Sequence, residues 1–110
     1  VNAKGEVLMD GAEKPAGFVL SRQAADEEEL LLIAVLPEHR AQGLGQILID
    51  RLFEAAGARG ISKVFLDMRR GNPAVHLYQK VGFEPIGERS NYYKKLDGSR
   101  IDAITFSRAL

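Results

Sequence analysis

No cysteine occurs in the 110 residues, and that absence removes thiol nucleophiles, disulfides and thiolate metal sites together. A secreted disulfide scaffold is excluded, and a reducing cytoplasm is the expected compartment. Net charge is lacking as well, since 15 Lys and Arg balance 15 Asp and Glu. No long-range field therefore favours nucleic acid or an anionic membrane surface, and neither is expected as a partner. The longest apolar run, residues 30–36, is too short to span a bilayer, and the N-terminus lacks a basic region followed by an apolar segment. The protein is expected to be soluble. Only two histidines occur, His39 and His76, and neither has a second ligand at metal-binding spacing. No metal site is expected.

What is present is ordinary for one globular domain: 45% hydrophobic and 27% charged residues, without repeats, low-complexity tracts or linker-like shifts in composition. Residues 1–110 are read as a single domain. Two short apolar stretches, residues 6–10 and 17–23, flank a Gly-, Lys- and Pro-containing segment and predict a hairpin with its loop near residues 11–16. An acidic run, residues 26–29, reads as a solvated turn. The continuous apolar series Leu30, Leu31, Leu32, Ile33, Ala34 and Val35 then predicts a central strand buried on both faces.

Pro37 ends that strand, and from Gly43 onward Leu44, Ile47, Leu48, Leu52, Ala55 and Ala56 recur at helical spacing until Gly57 and Gly60. Val64, Leu66 and Met68 alternate with polar or outward positions and predict a second strand, so strand, helix and strand make a βαβ unit. Asn72 followed by Pro73 opens a second helix as cap and first residue, and Gly82 suits its left-handed end. Residues 83–95 and 100–110 read as antiparallel strands joined around Asp97 and Gly98. The fold class is α/β, in the α+β sense of a mixed sheet: a central βαβ unit followed by a C-terminal antiparallel hairpin.

Two glycines in Arg40, Ala41, Gln42, Gly43, Leu44 and Gly45 let the backbone approach a ligand at a helix N-terminus, where N–H groups and the helix dipole suit an anion. Glycines before helices also serve as plain turn residues. The order is what adds meaning. A strand, Arg-x-x-Gly-x-Gly, a helix, a strand and then Asn-Pro-Ala-x-x-Leu-Tyr-x-x-x-Gly-Phe resembles the GNAT acetyltransferases. Further similarity, to the RimI-type ribosomal-protein alanine N-acetyltransferases, lies in Phe65-Leu66-Asp67-Met68-Arg69, Asn72, Leu77-Tyr78 and Asn91-Tyr92-Tyr93 ahead of Asp102-Ala103. It covers nearly the whole chain from about Leu30.

The resemblance implies acetyl-CoA as cosubstrate. Its pyrophosphate would lie on Arg40, Ala41, Gln42, Gly43, Leu44, Gly45 and Gln46, and its acetyl-pantetheine arm along the backbone of Ile33, Ala34 and Val35, with a main-chain N–H polarising the thioester carbonyl. It places Tyr78 as general acid toward the thiolate and Asn72 as a coenzyme contact; Asn72 is equally a helix cap, and Tyr78, which lies on the apolar stripe, is read with the motif as functional rather than as plain core. Asp67 stands where the RimI-type pattern carries a glutamate acting as base, one methylene shorter. Tyr92 and Tyr93, adjacent on an extended stretch, should point to opposite faces, so that one lines an acceptor groove while the other packs inward.

The activity implied is direct transfer of acetyl to a primary amine, foremost the N-terminal α-amine of a protein, as in the ribosomal-protein alanine type. A small-molecule amine acceptor or a non-catalytic acyl-CoA-binding module are the alternatives. Against the family pattern the chain starts late, which suggests either a fragment or a shortened member that completes its site as a homodimer.

Overall fold

The computed structural model describes residues 3–9, 14–40 and 43–110. Strands β1 (Ala3–Met9), β2 (Pro15–Ala24) and β3 (Glu27–Val35) are followed by a short 3₁₀ turn (Pro37–His39) and helix α1 (Leu44–Ala58). Then come β4 (Lys63–Arg69), α2 (Val75–Lys80), β5 (Glu84–Lys94) and β6 (Arg100–Ala109). The strands form one six-stranded sheet in the order β1-β2-β3-β4-β6-β5. Only β3 and β4 run parallel; every other pair is antiparallel. This is the mixed sheet that the alternation of strand and helix signals predicts, with the parallel pair joined through α1. The predicted N-terminal hairpin is β1 and β2; most of its loop lies outside the described residues.

α1 turns its apolar stripe onto the sheet. Leu48, Ile49, Leu52 and Ala56 are buried against Val19, Leu30, Val64 and Leu66 from three successive strands. Each large aliphatic side chain so buried contributes about 1.5–3 kcal/mol. Phe83, just after α2, closes the far end of this core, with its ring 5.6 Å from that of Phe53 and 5.7 Å from that of Tyr78. The second helix is shorter than its sequence signals suggest, beginning at Val75. The turn nonetheless starts at Asn72, whose Oδ1 accepts the Ala74 N–H at 2.9 Å and whose carbonyl accepts that of Val75 at 3.1 Å. Gly82 takes φ +98° after the helix, as a left-handed end requires.

Two sequence expectations for β3 are corrected. The acidic run is not a solvated turn: the turn is confined to Ala25 and Asp26, and residues 27–29 already belong to β3. Glu28 is completely buried. Its carboxylate accepts hydrogen bonds from Arg59 at 2.9 and 3.2 Å and from the Ser21 hydroxyl at 2.7 Å, which offset the cost of removing it from water. The apolar run, conversely, is not buried on both faces. Leu31 and Leu32 are 39% and 49% exposed. β3 meets β4 only through Glu27↔Lys63, Glu28↔Val64 and Glu29↔Phe65, and beyond Glu29 the two strands part.

Candidate active site

The parting of β3 and β4 opens a cleft of about 910 Å³. Leu30 to Ile33 form one wall and Leu66 to Arg69 the other, while α2 contributes Tyr78 and the C-terminal hairpin contributes Tyr93. β3 remains paired with β2 along its outer edge, from Gly17↔Val35 to Ala24↔Glu27. On the β4 side, the backbone of residues 30–35 has no ladder partner among the described residues. That edge, apart from the Val35 carbonyl that Arg40 occupies, is open to an extended amide-bearing ligand, as backbone N–H and C=O groups require partners. An acetyl-pantetheine arm has this form, and Ile33 lines the cleft.

Above the end of β3 the chain turns into α1. The Leu36 N–H donates to the Ala16 carbonyl at 2.8 Å, and Arg40 Nε donates to the Val35 carbonyl at 3.2 Å. Arg40 therefore fastens the loop to the strand end. Gly43 caps α1 at φ +75°, with nothing within 4 Å of where a Cβ would stand. A side chain there is disfavoured by conformation rather than by crowding. The first intrahelical bond runs from the Ile47 N–H to the Gly43 carbonyl at 3.2 Å, which leaves the N–H groups of Leu44, Gly45 and Gln46 for an anion. Gly45 has a second reason to be glycine: a Cβ would stand 3.1 Å from Leu77 Cδ2, so this residue lets α1 approach the second helix. Ala41 and Gln42, expected in the same loop, lie outside the described residues.

Asp67, Asn72, Tyr78 and Tyr93 all line the cleft. Tyr78 is buried, and burial holds its phenol above the usual range, so the hydroxyl stays protonated at neutral pH. Asp67 accepts a hydrogen bond from the Thr105 hydroxyl across the antiparallel β4 and β6 pair, where the two residues stand opposite one another. Tyr93 is also pushed up, chiefly by burial and then by the nearby Asp67 carboxylate. A protonated phenol, an oriented carboxylate and a second phenol thus share one cavity.

The tyrosine pair departs from the expected alternation. β5 slips register between Arg89 and Tyr93, and Asn91 adopts φ +56°. This bulge brings the Tyr92 and Tyr93 rings edge to face, with centroids 5.1 Å apart, rather than to opposite faces. Tyr93 enters the cleft; Tyr92 stays 48% exposed outside it, with the Arg89 guanidinium 5.1 Å from its ring. Ala34, Val35, Arg40, Gly43, Leu44, Gly45 and Gln46 do not line the cavity and instead follow the path from its rim into α1. Thr105 gave no signal of its own in the sequence, because its place beside Asp67 depends on the register of β6.

A model of the acetyltransferase (GNAT) domain matches residues 4–85. The chain belongs to the GNAT acetyltransferase family. It is 34% identical over 91 residues to the [ribosomal protein bS18]-alanine N-acetyltransferase of Haemophilus influenzae, and 39% identical over 92 residues to that of Escherichia coli K12. Each alignment takes in 83% of this chain and 62% of the relative, so the chain spans less than two thirds of their length. The crystal structure of the Escherichia coli ribosomal-protein-S18-alanine N-acetyltransferase superposes with a TM-score of 0.85 at 33% identity, covering 97% of this chain and 68% of that one. A plant structure described as NAA60 in complex with a bisubstrate analogue, 17% identical with a TM-score of 0.85, shares the fold. No helix among the described residues is long and apolar enough to cross a membrane.

Proposed function

We propose that this GNAT domain transfers acetyl from acetyl-CoA to the N-terminal α-amine of a protein, of the ribosomal-protein alanine type. The observation that carries the reading is the gathering of Asp67, Asn72, Tyr78 and Tyr93 at the mouth of the split between β3 and β4. The names of the relatives supply the acceptor class. Acetyl-CoA supplies an activated thioester. The free edge of Ile33, Ala34 and Val35 binds its arm, and Arg40 to Gln46, with Ala41 and Gln42 among them, cradle its pyrophosphate. Asn72 holds the turn into α2 and contacts the coenzyme at the rim.

With no cysteine to relay the acyl group, the amine attacks the carbonyl carbon directly: a C–N bond forms, the C–S bond breaks, and one proton leaves the nitrogen while one reaches sulfur. Asp67 takes the amine proton through a water, since its side chain is short. A terminal α-amine has a reference pKa of about 8, so an appreciable fraction is already neutral near pH 7. A lysine amine, near 10.4, would demand a stronger base. Tyr78 delivers its proton to the departing sulfur, and Tyr92 and Tyr93 flank the incoming peptide. The compartment that fits this chemistry and the cysteine-free composition is the cytoplasm.

Release of free coenzyme A should be measured for the full-length protein with alanine-terminated peptides, the same peptides blocked at the α-amine, and polyamines. The α-amine peptides should give a kcat/KM at least about tenfold above the others, the equivalent of about 1.4 kcal/mol in transition-state binding. A preference for polyamines would move the assignment to small amines. Acetyl-CoA binding without turnover on any amine would make the domain a non-catalytic binder.

A further inference from the structure

The acceptor side of the cleft depends on an irregularity, and the irregularity has a partner. Between Arg89↔Ala103 and Tyr93↔Ile101, β5 advances four residues while β6 advances two. The extra residues leave backbone groups of β5 outside the ladder, Asn91 among them in the left-handed region. Asp102 is the β6 residue opposite this bulge. Its Oδ1 accepts the Asn91 N–H at 2.9 Å, and its Oδ2 faces Arg70 Nε at 3.6 Å. The Asp102 carbonyl also accepts the Arg70 N–H at 2.9 Å, one residue beyond the end of β4. Arg70 pairs in turn with Glu88 on β5. One carboxylate thus ties the bulge to the end of the strand that carries Asp67.

We propose that Asp102 is a positioning residue for the acceptor: it clamps the Asn91 bulge so that Tyr93 enters the cleft near Asp67 with Tyr92 braced against it. The inference rests on the acyl-transfer reading of the cleft. The Asn91 amide, first among the groups around it, holds the Asp102 carboxyl below the usual range, consistent with a bond made to the charged form. Without the carboxylate, the Asn91 N–H has no acceptor in the ladder. The strand is then free to recover regular alternation, which sends adjacent side chains to opposite faces. In the sheet, β4 and β6 lie between this bulge and β3, so the effect falls chiefly on the acceptor side.

The test compares Asp102→Ala with Asp102→Asn in the full-length protein. Asn keeps an oxygen that accepts from Asn91 while losing the charge. In Asp102→Ala the peptide KM should rise about tenfold, the scale of one lost aromatic contact, with kcat and the acetyl-CoA Kd within about twofold of wild type. Asp102→Asn should return KM to within about twofold. An activity-independent arm reads nuclear Overhauser contacts between the Tyr92 and Tyr93 rings, present in wild type and Asp102→Asn and lost in Asp102→Ala. Unchanged KM with ring contacts retained in Asp102→Ala overturns the proposal. So does a parallel loss of kcat, acetyl-CoA affinity and thermal stability that Asn fails to rescue. If wild type turns over no α-amine peptide, the function reading fails, and the ring contacts alone decide the clamp.

Discussion

The two halves of β3 are built on opposite terms. Its first half, residues 27–29, lies in the ladder with β4 and holds a fully buried carboxylate in place with Arg59 and Ser21. Its second half is almost wholly apolar, yet Leu31 and Leu32 are partly exposed and its β4 edge has no ladder partner among the described residues. The polar half is the structural anchor and the apolar half lines the candidate cleft. Burial follows where the neighbouring strand goes, and hydropathy alone does not track that.

The contrast breaks most visibly at Glu28. Glu28→Ala removes the acceptor of both Arg59 and Ser21, and should cost about 2–4 kcal/mol, toward the lower end because the freed Arg59 is already partly exposed. In a domain of this size that lowers Tm by about 10 °C, as thermal unfolding followed by circular dichroism would register. Four residues along, Leu32→Ala should cost less than about 1 kcal/mol by the same measurement. A loss at Leu32 equal to that at Glu28 would erase the distinction.

On the cleft side, Tyr78→Phe keeps the ring against Phe83 and removes the hydroxyl proposed as proton donor. kcat should fall about 10²-fold, with Tm held within about 2 °C of wild type. Steady-state kinetics with chemistry shown to limit the rate would check it; an unchanged kcat returns Tyr78 to the core and leaves protonation to solvent. Gly43→Ala places a Cβ in open space at a left-handed residue, so about 1–2 kcal/mol of backbone cost should appear as a severalfold weaker acetyl-CoA Kd in calorimetric titration. The smallest effect expected is a null one. Because burial raises the Tyr78 phenol, its acid form persists above the reference value of about 10. The pH–rate profile should therefore show no alkaline fall between about pH 7 and 9 from this group.

The elements that depend on local chemistry were legible in the sequence: α1 from its apolar spacing, the Gly82 end of the second helix, and the turn at Asp97 and Gly98, where the Ser99 hydroxyl and N–H donate to Asp97. So was the cleft's cast, since Asp67, Asn72 and Tyr78 stand within recognisable motifs. What escaped depends on register. Glu28 reads as one acid among four until Arg59, 31 residues away, is seen to reach it. Thr105 meets Asp67 only because β6 lies beside β4, and the Tyr92–Tyr93 contact stands at a bulge where β5 carries two more residues than β6 between rungs.

The split between β3 and β4 ends at a definite rung, Glu29↔Phe65, immediately beyond the level of Glu28. In mechanical terms this is the tip of a crack in an otherwise continuous sheet. An extended ligand in that opening would act as a wedge on that rung. The charge-paired side chain behind it pins β3 to α1 through Arg59, so the crack is arrested where it starts. The fissure in the sheet thus ends at the level of a buried, charge-paired side chain.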